Sequence, residues 1–305
     1  MSNEPVITPA LPSIPSRESR IHGCLLGGAL GDSLGYAVEF DDIATIRSTF
    51  GPDGLQDFSA LDGGSHFSDD TQLTLYTVDG LLEALEWANS GVAADTNACL
   101  WLAYLRWLGT QGVAVPASAP FQPPRWIDAQ DVLKSRRSPG NACLSGLATG
   151  EMGTVKRPVN PDSKGCGTVM RSAPFGLIPH LEAKTVYKLS ADAASLTHGH
   201  PAARQSAGVF SLLIHALSSG HGLREAAESA LEMPRPSWPL SAQDLRRARR
   251  LASLAREALA RPDFESPAAE RDLAKQALAD LEALRGRRGL LRRRGRRLCD
   301  SSRSR

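Results

Sequence analysis

The sequence predicts an all-α fold, and three observations support this prediction. Alanine and leucine, both strong helix formers, recur along the chain, whereas aromatic residues make up only 6% of it. Apolar residues return at three- and four-residue spacing in several segments, and no segment alternates in the manner of a half-buried strand. A hydrophobic content of 42% in 305 residues is sufficient for the core of one large domain or two small ones.

The helices are expected in a regular order along the chain. The first covers 21–38, where glycines cost helix propensity and therefore indicate a buried helix near a ligand or a tight crossing. A short helix and a glycine-rich loop fill 41–67, and Ser68 then starts a long helix that runs to Leu85 on its apolar spacing. Further helices are predicted at about 94–109, from 141 after a Ser-Pro-Gly turn, at 168–178, 183–197 and 201–219, and as charged amphipathic segments at 241–260 and 266–284.

Composition divides the chain into three parts. Residues 1–20 hold four prolines and lack the apolar stretch of a signal peptide, which predicts a disordered lead. Residues 285–305 hold ten arginines and one aspartate and are expected to form a disordered tail. The body at 21–284 is therefore mildly acidic although the net charge of the chain is +2, and nucleic acid is not an expected partner of that body. No apolar run reaches the roughly 18 residues of a membrane span.

The cysteines exclude two kinds of site. They are odd in number and show no Cys-x-x-Cys spacing, which argues against a disulfide framework and against a zinc site. This usage predicts a protein of the reducing cytoplasm. The five are Cys24, Cys99, Cys143, Cys166 and Cys299.

The tetrad from Ser68 to Thr71 has two interpretations. Ser68 can cap the helix that follows, and Asp69 and Asp70 then favour its positive end. Adjacent acids flanked by hydroxyls can also bind one cation, because Mg²⁺ and Mn²⁺ prefer hard oxygen ligands. Upstream, Asp32 can act as a cap between small residues, and Glu39 can be a surface acid or a member of the same acidic site.

Two downstream segments could contact an anionic ligand. The stretch 164–171 places Gly165 and Gly167 before a helix, where backbone N–H groups can bind a phosphate. His198 and His200 precede the helix at 201, and they could be caps, metal ligands or ligand-stacking groups.

Together these segments resemble the ADP-ribosylglycohydrolases, a family that includes the dinitrogenase-reductase-activating glycohydrolases. The resemblance covers about 21–284 and rests on four motifs in the same order and spacing. They are Gly27-Gly28-Ala29-Leu30-Gly31-Asp32-Ser33-Leu34-Gly35 with Glu39, Ser68-Asp69-Asp70-Thr71-Gln72, Lys164-Gly165-Cys166-Gly167-Thr168-Val169-Met170-Arg171-Ser172-Ala173-Pro174, and Thr197-His198-Gly199-His200-Pro201.

The resemblance implies a compact orthogonal helical bundle with a dinuclear Mg²⁺ or Mn²⁺ site. It implies hydrolysis of the N- or O-glycosidic bond between ADP-ribose and a protein side chain, often arginine, or a small molecule. The partner would then be an ADP-ribosylated protein or an ADP-ribose-containing small molecule. Departure from C1 of ribose has oxocarbenium character, and a metal-bound water can supply the nucleophile at neutral pH.

The resemblance also implies roles for single residues. Ser68, Asp69 and Asp70 would bind a metal, and Asp70 with Glu39 would form the catalytic pair, Glu39 as general base or gate. Asp32 fits the motif as a supporting residue. The residues expected at the diphosphate and ribose of ADP-ribose are Gly165, Cys166, Gly167, Thr168 and His198.

The C-terminal part departs from the family pattern. The family has a second metal motif, Asp-x-Asp followed by Ser or Thr, where this chain has the arginine-rich residues 285–305. One hypothesis is that the residues from about 285 are translated out of frame, which the nucleotide sequence would test. Loss of that motif would weaken metal binding and impair activity. Two other functions stay open, a non-catalytic ADP-ribose-binding or toxin-neutralising protein and a nucleic-acid binder acting through the tail.

Overall fold

The computed structural model describes residues 15–232, and this part of the chain is built from helices and loops without a β-strand. The prediction of an all-α fold is confirmed. The helices are α1 (Arg17–Tyr36), α2 (Ile43–Phe50), α3 (Asp69–Asn89), α4 (Thr96–Thr110), α5 (Asn141–Leu147), α6 (Ala173–Leu177), α7 (Ala183–Ala194), α8 (Pro201–Ser218) and α9 (Leu223–Glu232).

The core lies where two helix pairs meet. α3 packs along α4, α7 packs along α8, and α4 also contacts α7, while α6 and α9 lie against α8. The largest apolar side chains of this core are fully buried, among them Trp107, Tyr76 and Tyr104. Helix packing therefore supplies the burial that single helices of this length need for stability.

The long helix starts where the sequence predicts it. Ser68 is the N-cap of α3, and its Oγ accepts a hydrogen bond from the backbone N–H of Asp70 at 3.1 Å. α8 begins with Pro201 in its first turn, and the Nδ1 of His200 accepts from the N–H of Ala202 at 3.0 Å. Of the roles left open for His200, the structure shows the cap.

The expected lead at 1–20 needs a correction at its end. α1 begins at Arg17, so residues 17–20 are helical. The reason is a local cap, because the hydroxyl of Ser16 accepts the N–H of Ser19 at 3.1 Å and satisfies a free donor of the first turn.

The expectation that the first helix is buried is wrong for the described part of the chain. None of the residues of α1 is buried, and a Cβ added at Gly27 or Gly28 would meet no atom within 4 Å. Polar contacts attach this helix to its neighbours: Ser33 Oγ lies 2.7 Å from Ser65 Oγ, and Tyr36 Oη lies 2.9 Å from Ser138 Oγ.

The helix expected at 168–178 is shorter than predicted. A 3₁₀ turn covers Cys166–Thr168, and α6 covers only Ala173–Leu177. Pro174 explains the break, since it lacks the N–H group that would continue a helix from the preceding turn and lies instead in the first turn of α6. α9 was not expected, because its core-facing residues are alanines that give little apolar signal. The segments predicted at 241–260 and 266–284, and the tail at 285–305, lie outside the described residues.

Within residues 15–232, no helix combines the length and the apolar character that crossing a membrane requires.

Glycines allow close helix crossings at Gly176, where α6 meets α8, and at Gly80, where α3 meets α4. A Cβ built on Gly80 would lie 2.9 Å from Leu100 Cα and 3.1 Å from Leu100 N, which are backbone atoms that cannot rotate away. The absence of a side chain at Gly80 therefore sets the distance between these two helices.

We predict that Gly80→Ala destabilises the protein by about 1–3 kcal/mol, the range of overpacking in a close-packed core. Gly27→Ala is the matched control, because its new methyl group meets open space and alanine favours the helix by up to about 1 kcal/mol. Urea unfolding at neutral pH measures both. Equal stabilities of the two variants would mean that Gly80 does not set the crossing.

Candidate functional site

The carboxylate of Asp32 joins α1 to the N-terminus of α3. Its Oδ2 accepts the backbone N–H of Ser68 at 2.9 Å and the N–H of Thr71 at 3.0 Å, and it also accepts from the hydroxyl of Thr71. A negative charge at the positive end of a helix is favourable, and these bonds satisfy donors that the helix itself leaves free. Asp32 thus caps α3 from a different helix, α1, and this cap gives a physical basis to the supporting role expected for it.

The two acids of the tetrad point to different neighbours. Asp69 is buried, and its Oδ2 accepts the N–H of Gly140 at 3.0 Å, just before α5. Asp70 is half-buried and lines a cavity together with Ser68 and Glu39. The cap interpretation is confirmed for Ser68, and the cation-binding interpretation of the two carboxylates stays a prediction.

Burial, followed by the charges of neighbouring carboxylates, determines the electrostatics at the start of α3. Burial, then the charges of Asp70 and Glu39, raise the pKa of Asp69 to about 7. Burial, then the charges of Asp32 and Glu39, raise the pKa of Asp70 to about 6. Four acids act on one another at the start of α3, so the site favours any added positive charge.

This chemistry fits a divalent cation, although only in part. Carboxylate and hydroxyl oxygens are the ligands of Mg²⁺ and Mn²⁺, and several of them lie close together at the start of α3. In residues 15–232, however, no three side chains among His, Cys, Asp and Glu are grouped closely enough to hold a metal ion. The described residues thus provide part of a coordination sphere.

The cavity beside α1 has an acidic wall and an apolar wall. Its volume is about 1110 Å³, slightly above the range of roughly 300–1,000 Å³ that is usual for small-molecule sites. The acidic wall consists of Asp32, Glu39, Ser68, Asp70 and Thr71. The apolar wall includes Leu25, Leu26, Phe67, Leu75, Met170, Phe210 and Ile214.

The glycine-rich turn and His198 form a second group. A Cβ on Gly167 would lie 2.8 Å from His198 Cε1, and one on Gly165 would lie 3.7 Å from His198 Nε2, so both glycines border the imidazole. Cys166 is exposed on the same turn. The hydroxyl of Thr168 is buried and donates to the carbonyl of Ala203 at 3.1 Å, so it is turned away from the surface.

Both groups contact the start of α5, although they do not share the large cavity. None of the residues of the glycine turn lines the large cavity. Contacts connect them, since Gly140 binds Asp69, and Cys143 Sγ would lie 3.2 Å from a Cβ at Gly167. The structure thus brings Ser68, Asp70 and Glu39 together at one cavity and the residues of the turn together with His198 at another place.

Sequence reasoning missed the role of Arg171. Its side chain is buried, its guanidinium lies 4.4 Å from the ring centre of Tyr104, and its Nη2 donates to Thr197 Oγ1 at 2.7 Å. Nη1 also faces Cys143 Sγ at 3.7 Å. The only signal in the sequence is a charged residue in an otherwise apolar stretch, between Met170 and the start of α6.

His198 is buried beside this guanidinium. Its Nδ1 lies 2.8 Å from Thr197 Oγ1. Burial, and then the positive charge of Arg171, lower the pKa of His198 to about 4, so the imidazole is neutral at pH 7.

The chain belongs to the ADP-ribosylglycohydrolase family. The sequence model of that family, described as ADP-ribosylglycohydrolase, matches residues 13–288. The match confirms the family that the four motifs indicated, and it identifies glycosidic hydrolysis of the ADP-ribosyl type as the general reaction. Neither a search of curated proteins nor a search of solved structures returned a match.

We predict that Asp32→Ala destabilises the protein by about 1–3 kcal/mol, since it removes an inter-helix cap from half-buried donors. Asp32→Asn should cost less, because the amide oxygen can still accept. Asp42→Ala is the control, as it removes an exposed cap of α2 in which Oδ1 accepts from Thr45 N at 2.8 Å. Urea denaturation ranks the three variants, and an Asp32→Ala loss no larger than that of Asp42→Ala would contradict the cap's importance.

The buried histidine predicts a pH dependence of stability. The pKa of His198 is about 4 when folded and about 6.5 when unfolded, so its contribution is complete above pH 6.5 and is lost as the pH falls towards 4. The loss is at most about 3 kcal/mol. Asp69 acts with the opposite sign, because its raised pKa makes its contribution fall as the pH rises from about 4 to 7.

A comparison of wild type with His198→Gln isolates the histidine, since Asp69 is common to both. We expect the difference in free energy of unfolding to shrink as the pH is lowered from 7 to 4.5. A difference that is constant over this range would show that His198 does not titrate as described.

Proposed function

We propose that this protein is a metal-dependent ADP-ribosyl hydrolase that cleaves the N- or O-glycosidic bond between ADP-ribose and a protein side chain, with arginine as the first candidate, or a small molecule. The observation behind this proposal is the crowded acidic wall of the 1110 Å³ cavity. Oxocarbenium-like charge develops at the ribose C1 during cleavage, and a cluster of carboxylates stabilises positive charge there.

We expect Glu39 and Asp70 to have different catalytic roles, because they occupy different positions at the cavity. Glu39 is exposed at the cavity and close enough to raise the pKa of both Asp69 and Asp70, which suits a general base that takes a proton from water. Asp70, on the cavity wall, would orient that water and hold positive charge. The apolar wall would exclude bulk water from the ribose.

Mg²⁺ or Mn²⁺ would be held by Ser68, Asp69 and Asp70, and when bound it would lower the pKa of a bound water and fix ribose hydroxyls. Burial, and then the charges of neighbouring carboxylates, raise the pKa values of the two aspartates, and a bound cation would compensate both effects, which supports this assignment. Gly165, Gly167, the backbone of Cys166 and Thr168, and His198 would contact the diphosphate and ribose.

The substrate would be an ADP-ribosylated protein or an ADP-ribose-containing small molecule. The four cysteines among the described residues are free thiols, which supports a place in the reducing cytoplasm.

A second candidate is a non-catalytic ADP-ribose binder. It is favoured by one observation, that residues 15–232 contain no group of three metal-ligating side chains. Such a binder would retain its affinity for ADP-ribose in EDTA and show no turnover.

The test is release of free ADP-ribose from an ADP-ribosyl-arginine protein by the full chain, with Mg²⁺, with Mn²⁺ and with EDTA. We expect release with metal, loss of it in EDTA, and a loss of at least 100-fold in Asp70→Ala. Asp53→Ala, which removes an exposed carboxylate in a turn away from the cavity, should keep full activity.

No release by the folded chain, together with ADP-ribose binding in EDTA, would replace the hydrolase with the binder. Release that persists in EDTA would contradict the proposed metal requirement.

Glu39→Gln provides a separate prediction. The amide keeps the size of the side chain but cannot accept a proton, so kcat should fall by about 10²- to 10⁴-fold while KM changes little. Steady-state kinetics with the same substrate measures this, and an unchanged kcat would exclude Glu39 as the general base.

A further inference from the structure

Arg171 occupies an unusual position for a charged side chain. It is 2% exposed, and it lies between the aromatic ring of Tyr104 and the hydroxyl of Thr197. A guanidinium group in such surroundings costs free energy unless its donors are used, and here one donor is directed at a single hydroxyl.

The hydrogen bonds of the Thr197 hydroxyl determine which atom is the donor between Thr197 Oγ1 and His198 Nδ1. The side chain is completely buried, and its Oγ1 has two partners among the described residues, Arg171 Nη2 at 2.7 Å and His198 Nδ1 at 2.8 Å. Arginine can only donate, so Oγ1 accepts from it. The proton of the hydroxyl then needs an acceptor, and the atom in reach that can accept is Nδ1 of His198.

We infer that Arg171 is a positioning residue: acting through the Thr197 hydroxyl, it holds His198 as the tautomer with the proton on Nε2 and so presents an N–H donor to the ligand. The opposite tautomer would direct an N–H at Thr197 and leave the hydroxyl proton without a described acceptor next to a cation. Neutrality of the ring agrees with this arrangement, since burial and Arg171 lower the pKa of His198.

The donor faces the glycine turn. A Cβ on Gly167 would lie 3.1 Å from His198 Nε2, and one on Gly165 would lie 3.7 Å from it, so the side of the ring that carries the proton is bordered by two residues without side chains. Gly165 is itself exposed, which gives a ligand access from the surface. A neutral N–H donor fits an oxygen acceptor such as a phosphate or ribose oxygen; this ligand part of the inference rests on the proposed function.

The first test reads the tautomer without any ligand. Protein labelled with ¹⁵N-histidine is studied at pH 7 by long-range ¹H–¹⁵N correlation, in which protonated and unprotonated ring nitrogens have well-separated shifts. The chain has seven histidines, and the spectrum of His198→Gln identifies the signals of His198. We expect Nε2 protonated and Nδ1 unprotonated in the wild type.

Variants at Thr197 separate positioning from simple packing. Thr197→Val keeps the shape but removes the hydroxyl, and it should convert the single tautomer into a mixture or into the opposite form. Thr197→Ser retains the hydroxyl and should restore the wild-type pattern. Arg171→Lys keeps the charge but lacks the planar guanidinium group that donates to Thr197. If this variant folds, it should also lose the single tautomer of His198.

The second test measures ADP-ribose affinity by calorimetry. Thr197→Val should bind about tenfold more weakly and Thr197→Ser nearly as well as wild type, the change expected for one hydrogen bond. Gly165→Ala, which adds a methyl group near Nε2, should weaken binding while leaving the tautomer unchanged.

The inference is overturned if His198 carries its proton on Nδ1 in the wild type, or if Thr197→Val leaves the tautomer unchanged. Absence of ADP-ribose binding with the Nε2–H tautomer present would reject the proposed ligand instead. The two failures are therefore distinguishable.

Discussion

The contact between the Asp32 carboxylate and the first turn of α3 is the interaction on which the candidate site depends. It supplies three hydrogen bonds to the N-terminal end of the helix that carries Ser68, Asp69 and Asp70. It also holds α1, which buries none of its residues, against the core. Because α1 forms one wall of the large cavity, the same carboxylate determines the orientation of the acids and the shape of the space they face.

This arrangement has an electrostatic consequence. A carboxylate that caps α3 also adds negative charge next to Asp70, whose pKa is raised by it. Asp32 thus both caps α3 and repels the carboxylate of Asp70. Binding of a proton or a cation at the helix start would relieve that repulsion. Beside the glycine turn the sign is reversed, since Arg171 is a buried positive charge among neutral partners. The ADP-ribose that we propose as ligand would match both signs, with its anionic phosphates and the positive charge that develops at its ribose.

The sequence predicts the helices that have a strong apolar period or a cap, such as α3 with Ser68 and α8 with Pro201. It predicts the acids as a group because they are close together along the chain. It fails for α1, where the glycine content predicted burial, while close helix crossings occur at Gly80 in α3 and Gly176 in α6, which are single glycines in their helices. It also fails for Arg171, since whether an arginine is buried depends on Tyr104 and Thr197, which are distant in the chain.

The acids beside α1 and the group formed by Arg171, Thr197 and His198 are held in place by different kinds of contact. α1 contacts its neighbours through hydroxyl pairs and the Asp32 cap, with exposed glycines along its surface, and helices with little burial belong to the less stable part of a protein. His198, Thr197 and Arg171 lie in the core and are bound to one another. The imidazole of His198 is therefore fixed by buried neighbours, while the acids at the start of α3 depend on a helix that buries none of its residues. Loss of the Asp32 cap would thus disturb the acids more than the histidine, because Asp32 bonds to α3 and, among the described residues, makes no hydrogen bond with the Arg171–Thr197–His198 group.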